Sequence, residues 1–150
     1  MKKTIIFIVI MFSFVIACAN IGGEKATTTT NSRPSPLSIN VTKGNLDIPV
    51  QIQVTNRTKR ILTYLEVELT FEDTLGDAKC KIAVDVISDD WVMQGNLERV
   101  KLRDNGTNLY RIDVSELEVS DCWAQFVESW PNVAVTGRIT DKEFTEPDDW

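Results

Sequence analysis

The chain contains no histidine. That absence removes the Ser-His-Asp and Cys-His catalytic arrangements and every His-ligated zinc or haem site. Cysteine is scarce, with three in 150 residues. Two thiolates without histidine fall short of the four ligands a structural zinc needs, so no metal site is expected. No glycine-rich phosphate loop and no Ser-x-x-Lys spacing occur. Basic residues are few, 16 against 22 acidic ones. Only one long apolar run is present, and it lies at the start of the chain.

That run is the most informative segment. Lys2 and Lys3 precede it, Ile5 to Ile16 is apolar apart from Ser13, and the small Ala17 sits directly before Cys18. This is the layout of a cleavable signal peptide. Val15-Ile16-Ala17-Cys18 resembles the lipobox of bacterial lipoproteins. The resemblance implies cleavage after residue 17, a lipid thioether on Cys18, and acylation of the new N-terminus. An uncleaved anchor is the competing reading. As a helix, Ile5 to Ala17 would reach only about 20 Å, against a hydrocarbon core of about 30 Å. Anchoring through two or more acyl chains is stable where one chain is marginal. Ala19 and Asn20 lack the Asp that marks inner-membrane retention in some Gram-negative families, which favours the outer membrane where the cell has one.

Removing residues 1–17 leaves 133 residues (150 − 17), enough for one domain. It leaves 14 basic side chains (16 − 2) and 22 acidic ones, a net charge of −8 (14 − 22). Such a surface repels phosphate backbones, so no nucleic-acid partner is expected. It also disfavours adhesion to anionic lipid, so the lipid on Cys18 should hold the membrane. With Cys18 lipidated, Cys80 and Cys122 form an even pair in an exported, oxidising setting, and a disulfide between them is expected. Closing that loop is worth roughly 4 kcal/mol by chain entropy.

Residues 18–36 read as a flexible tether, with Gly22-Gly23, the run Thr27 to Thr30, Pro34 and Pro36. From residue 37 to about 145, period two dominates and predicts a β-sandwich domain. Ile39 and Val41 start it. Val50, Ile52 and Val54 follow, then Leu65, Val67, Leu69 and Phe71, then Cys80, Ile82, Val84 and Val86. Val100 and Leu102 precede Asn105-Gly106, which predicts a hairpin into a strand from Leu109 to Val114. Val133, Val135 and Ile139 make a last strand. Seven or eight strands on this length suggest two packed antiparallel sheets. Residues 146–150 form an acidic tail ending in Trp150.

One segment departs from period two. Cys122, Trp123, Phe126, Val127 and Trp130 have helical spacing, which predicts a short helix within residues 116–130. Ser115 with Glu118, or Asp121 alone, would cap it, and Pro131 would stop it. Cys122, Ala124 and Phe126 also fit one face of a strand, and that alternative stays open.

From Val54 to Gly76 the chain resembles bacterial immunoglobulin-like lipoprotein domains of the FxLYD type. Leu69, Phe71, Asp73 and Gly76 would occupy the aromatic, apolar, acidic and turn-glycine positions. Leu69 replaces the aromatic residue and Glu72 the tyrosine. The order Cys80, Trp91, Cys122 also resembles the Cys-Trp-Cys core of immunoglobulin domains, with Ser120 where their tyrosine would stand. Both resemblances imply an immunoglobulin-like sandwich.

Candidate sites are few. Asp89 and Asp90, and the group Asp104, Asn105, Gly106 and Asn108, lack the spacing of a calcium loop and read as polar turns. Three Asn-x-Thr sites, at Asn40, Asn56 and Asn105, match a glycosylation pattern that bacterial lipoproteins are not expected to use. Trp123 reads as core. Trp130, beside Pro131 at an element end, reads as the tryptophan best placed for binding, with Trp91 second. The expectation is a non-catalytic, lipid-anchored envelope protein without cofactor, binding another protein or an envelope polymer. The alternative is an inhibitor or immunity-type lipoprotein that neutralises a basic enzyme, since complementary charge speeds capture.

Overall fold

The computed structural model describes residues 34–76 and 78–147. The segment read as a signal peptide, Cys18, residues 19–33 of the expected tether, and residues 148–150 of the expected tail lie outside the described residues.

Alternation of apolar and polar residues builds six strands. They are β1 (Leu37–Lys43), β2 (Val50–Asn56), β3 (Ile61–Asp73), β4 (Lys79–Ile87), β5 (Thr107–Ile112) and β6 (Val133–Thr145). All pairings are antiparallel and form two sheets, β1-β2-β5 and β4-β3-β6. The fold is a β-sandwich with immunoglobulin-like connectivity, A, B and E strands in one sheet and C′, C and F in the other. Strand β3 is central and buries Leu62, Leu65, Val67, Leu69 and Phe71. Facing it, β2 buries Val50, Ile52 and Val54 with no exposed surface. Each fully buried side chain of this kind contributes about 1.5–3 kcal/mol.

The two open sides of the sandwich close differently. On one, β6 approaches β1 at Gly137. A Cβ built there would lie 2.7 Å from a Val41 methyl and 3.3 Å from one of Val67, so only glycine fits. On the other side, β4 and β5 are bridged by the helical turns α1 (Asp90–Met93) and α2 (Val114–Leu117) and by a 3₁₀ turn at Leu97–Arg99.

The chain reaches β1 at what is called here the near end. Pro36 O accepts from Arg57 N at 2.7 Å, and Ser35 O accepts from the Arg57 guanidinium at 3.2 Å. Connections 57–60 and 88–106 also lie at the near end. Connections 44–49, 74–78 and 113–132 lie at the far end.

Two expectations are corrected. First, no hairpin joins residues 100–102 to β5. Leu102 makes only an isolated bridge to Leu62, and β5 pairs with β2. Asn105 does take a positive φ of 49° and turns the chain, but its N–H is spent on Thr58 O. Among the described residues six strands result, not seven or eight. Second, 116–130 is not one helix. It holds α2, α3 (Ala124–Val127) and a 3₁₀ turn at Trp130–Asn132 that contains Pro131. The capping box is Asp113 with Glu116, not Ser115 with Glu118. The expected disulfide between Cys80 and Cys122 is present, and it does not join the B- and F-type strands of an immunoglobulin core. Cys80 on β4 is bonded to Cys122 in the connection before β6, with Cα atoms 5.8 Å apart. Trp91 lies on α1, not on the C-type strand.

Candidate functional site

The two tryptophans singled out by sequence sit in opposite environments. Trp130 is buried, 6% exposed. Its ring lies 5.5 Å from Trp123 and 6.3 Å from Phe71, and Phe126 completes the cluster. Its Nε1 donates to Gly44 O at 3.1 Å. The assignment of Trp130 as an exposed binding residue is therefore corrected: the 3₁₀ turn directs the indole under the 44–49 loop. Trp123 is core, as its spacing implied.

Trp91 is half-buried at the surface. Its Nε1 donates to Asp85 O at 3.0 Å, and the Arg99 guanidinium stacks 3.6 Å from its ring centroid. Arg99 is only 5% exposed. A bulge in β4 explains how a buried arginine is satisfied. Leu65 pairs Ile87 while Glu66 pairs Asp85, so Val86 is the extra residue. Arg99 Nε donates to Val86 O at 3.1 Å and a terminal nitrogen donates to Asp85 O at 2.7 Å. Both terminal nitrogens also meet Glu116, at 3.0 and 2.9 Å, in a bidentate pair. Glu116 in turn accepts from Asp113 N at 3.2 Å, closing the cap of α2.

Beside this network lies a cleft of about 250 Å³ lined by Ala83, Asp85, Ser88, Asp90, Trp91 and Gln94. The Tyr64 hydroxyl donates to Asp85 Oδ1 at 2.9 Å. That bond to a carboxylate, with some burial and neighbouring negative charge, pushes the Tyr64 pKa up to about 12. Glu116 is ion-paired with Arg99 and Asp85 accepts from Tyr64, so the cleft sets an aromatic face beside carboxylates already engaged by the protein.

Neither Arg99 nor Glu116 was singled out from the sequence. In Leu97-Glu98-Arg99-Val100-Lys101-Leu102, alternation puts Arg99 on the solvent side with Lys101. The 3₁₀ turn at 97–99 breaks that period and turns it inward. The acidic turns resolve as local structure. Asp89 and Asp90 begin α1, and Asn108 accepts from Leu109 N. Among the described residues, no group of three or more Cys, Asp and Glu is placed to hold a metal ion.

A second feature belongs to the far end. Among the described residues, Leu46, Leu75, Val119 and Val127 stand exposed on its three connections, Leu75 and Val119 by 78% and 80%. Hydrogen bonds tie these connections together. Thr74 N and Oγ1 both donate to Asn132 O, and Lys43 Nζ at the end of β1 donates to the carbonyls of Trp130, Pro131 and Val133.

Comparison with known proteins returned no matching family model, no matching curated protein and no matching solved structure.

Proposed function

We propose that this chain is a non-catalytic lipoprotein of the bacterial envelope, anchored through acyl chains on Cys18, whose sandwich binds a protein or an envelope polymer. The lipobox Val15-Ile16-Ala17-Cys18 supports the anchor. The observation that carries the binding reading is the polarity of the fold. The chain enters at Pro34 to Leu37, and the loop cluster that exposes Leu46, Leu75, Val119 and Val127 and is tied by Thr74, Lys43 and Trp130 lies at the opposite end, while Val92, Met93 and Leu97 are exposed at the near end. A tether at the near end would present that cluster away from the bilayer.

The inhibitor or immunity-type reading is favoured by one further fact. Connections 44–49, 74–78 and 113–132 contain no lysine or arginine, so a basic enzyme would meet acidic side chains and no basic ones on these three loops.

The anchor is tested by the intact mass of membrane-extracted protein, with and without reductant. Residues 18–150 plus a diacylglycerol and an acyl group, two daltons lighter before reduction, is the expected result. A full-length, unmodified mass would refute it. The non-catalytic reading fails if a hydrolytic or transfer activity is found that one side-chain substitution abolishes.

A further inference from the structure

The connections at the two ends of the domain differ in charge. At the near end, 57–60 and 88–106 together carry six basic side chains and four acidic ones, Asp89, Asp90, Glu98 and Asp104, whereas 44–49, 74–78 and 113–132 carry seven acidic side chains and no lysine or arginine. At the far end, Asp47, Glu118, Asp121 and Glu128 are exposed and form none of the ion pairs found among the described residues. Two lysines border the cluster: Lys43 spends its three donors on carbonyls, and Lys79 is paired with Glu72. Asp47, Glu118, Asp121 and Glu128 thus keep their charge without an ion-pair partner among the described residues, and four large apolar side chains are exposed on the same three connections. An apolar surface rimmed by polar and charged residues is the composition of an interaction site.

We propose that the far end docks a basic segment of a partner protein, one that sets aliphatic side chains between lysines or arginines. This rests on the anchored-binder reading and names the partner it would take. Charge complementarity selects the occupant. Anionic lipid, nucleic acid and acidic polymers are repelled. A second copy meeting end to end would set acid against acid. A second copy meeting head to tail would offer the near-end bases, but Arg57 already donates to Ser35 O and Ser38 Oγ, Arg60 is paired with Glu146, and Lys59 shares its end of the domain with Asp89, Asp90, Glu98 and Asp104. A basic partner gains steering from the acids, and Leu75 and Val119 supply contacts that salt does not screen.

The cluster is also preorganised. The disulfide holds 113–132 to β4, Thr74 holds 74–78 to Asn132, and Trp130 holds Gly44. Little ordering entropy remains to be lost on binding.

The test uses the full mature chain carrying Cys18→Ser, which takes no acyl group, so a basic probe meets protein and no lipid. The probe is a short peptide repeating Lys-Lys-Leu, compared with an all-lysine peptide of equal charge, and read by methyl and amide NMR shifts. Shifts should concentrate in 44–49, 74–78 and 113–132. Binding should weaken about tenfold or more for the double variant Leu75→Ser, Val119→Ser, and also for Asp121→Lys with Glu128→Lys. Met93→Ser at the near end should leave it unchanged. All substituted side chains are exposed, and an unaltered amide spectrum of each free variant verifies its fold. Four results would overturn the proposal: no binding at low salt, equal binding of the all-lysine peptide, shifts centred on 88–106, or self-association of the chain that Leu75→Ser abolishes. Each would leave the anchor standing, because the anchor is read independently by mass.

Discussion

Lys43 and Trp130 hold each other across the sandwich although 87 positions separate them. The ammonium lies 5.1 Å from the indole centroid and donates to Trp130 O at 2.7 Å, Pro131 O at 3.1 Å and Val133 O at 2.8 Å. Trp130 returns a bond from Nε1 to Gly44 O. One lysine at the end of β1 thereby caps the 3₁₀ turn that leads into β6.

Replacing Lys43 with methionine keeps much of the apolar stem but leaves those three carbonyls without their donor. Such a loss costs about 1–3 kcal/mol. Chemical denaturation should show a lower midpoint with little change in slope. An unchanged midpoint would mean the ammonium only decorates the surface.

Arg99 and Glu116 form the buried pair on the β4–β5 side, at 6% and 15% side-chain exposure. Breaking one member of such a pair strands a charge, at a cost of about 3–5 kcal/mol. Arg99→Met and Glu116→Gln should both destabilise strongly. The double variant should recover part of the loss, which a double-mutant cycle measures. Arg99→Met should also alter Trp91 emission, because the guanidinium stacked on its ring is gone.

The Cys80–Cys122 bridge spans 42 positions. Loop-closure entropy values it at roughly 4 kcal/mol. Changing both cysteines to serine should lower the unfolding midpoint by a corresponding amount. Proteolytic nicking should then appear first within 113–132, where the structure is held by short helical turns. Uniform cleavage would show that the bridge does not act locally.

Both tyrosines should resist ionisation. A hydrogen bond to Asp85 pushes Tyr64 up to about 12, and burial pushes Tyr110 up from the ordinary value of 10.0. Because the folded values exceed the unfolded ones, the stability involved is fully present below pH 10 and is lost as pH rises toward the folded values. An ultraviolet titration of the native chain should show phenolate appearing late. Asp85→Asn should return Tyr64 toward 10.0 and leave Tyr110 raised. Two tyrosines titrating normally would refute both placements.

Gly137 and Val41 meet where β6 approaches β1. Gly137→Ala should destabilise by about 1–3 kcal/mol through overpacking. Adding Val41→Ala should relieve the clash, so the double variant is less unstable than the sum of its parts. Additivity in thermal unfolding would place the cost elsewhere.

The sequence by itself determined the sandwich. Period-two patterning survives translation into structure because each strand has one buried face, and Val50 to Val54, Leu65 to Phe71 and Cys80 to Val86 all lie as the alternation places them. The Cys80–Cys122 pairing was equally legible, since reading Cys18 as the lipidated residue of an exported chain leaves only two cysteines to join. The tertiary structure decided everything that depends on contacts remote in sequence. Local pattern cannot reveal that Lys43 finds carbonyls near residue 131, that Asn105-Gly106 turns toward Thr58 instead of making a hairpin, or that a bulge at Val86 opens the acceptors for Arg99. Nor can it say which end of a sandwich a loop occupies. The far-end surface exists only because antiparallel connectivity gathers three connections devoid of lysine and arginine, far apart in the chain, at one end of the fold.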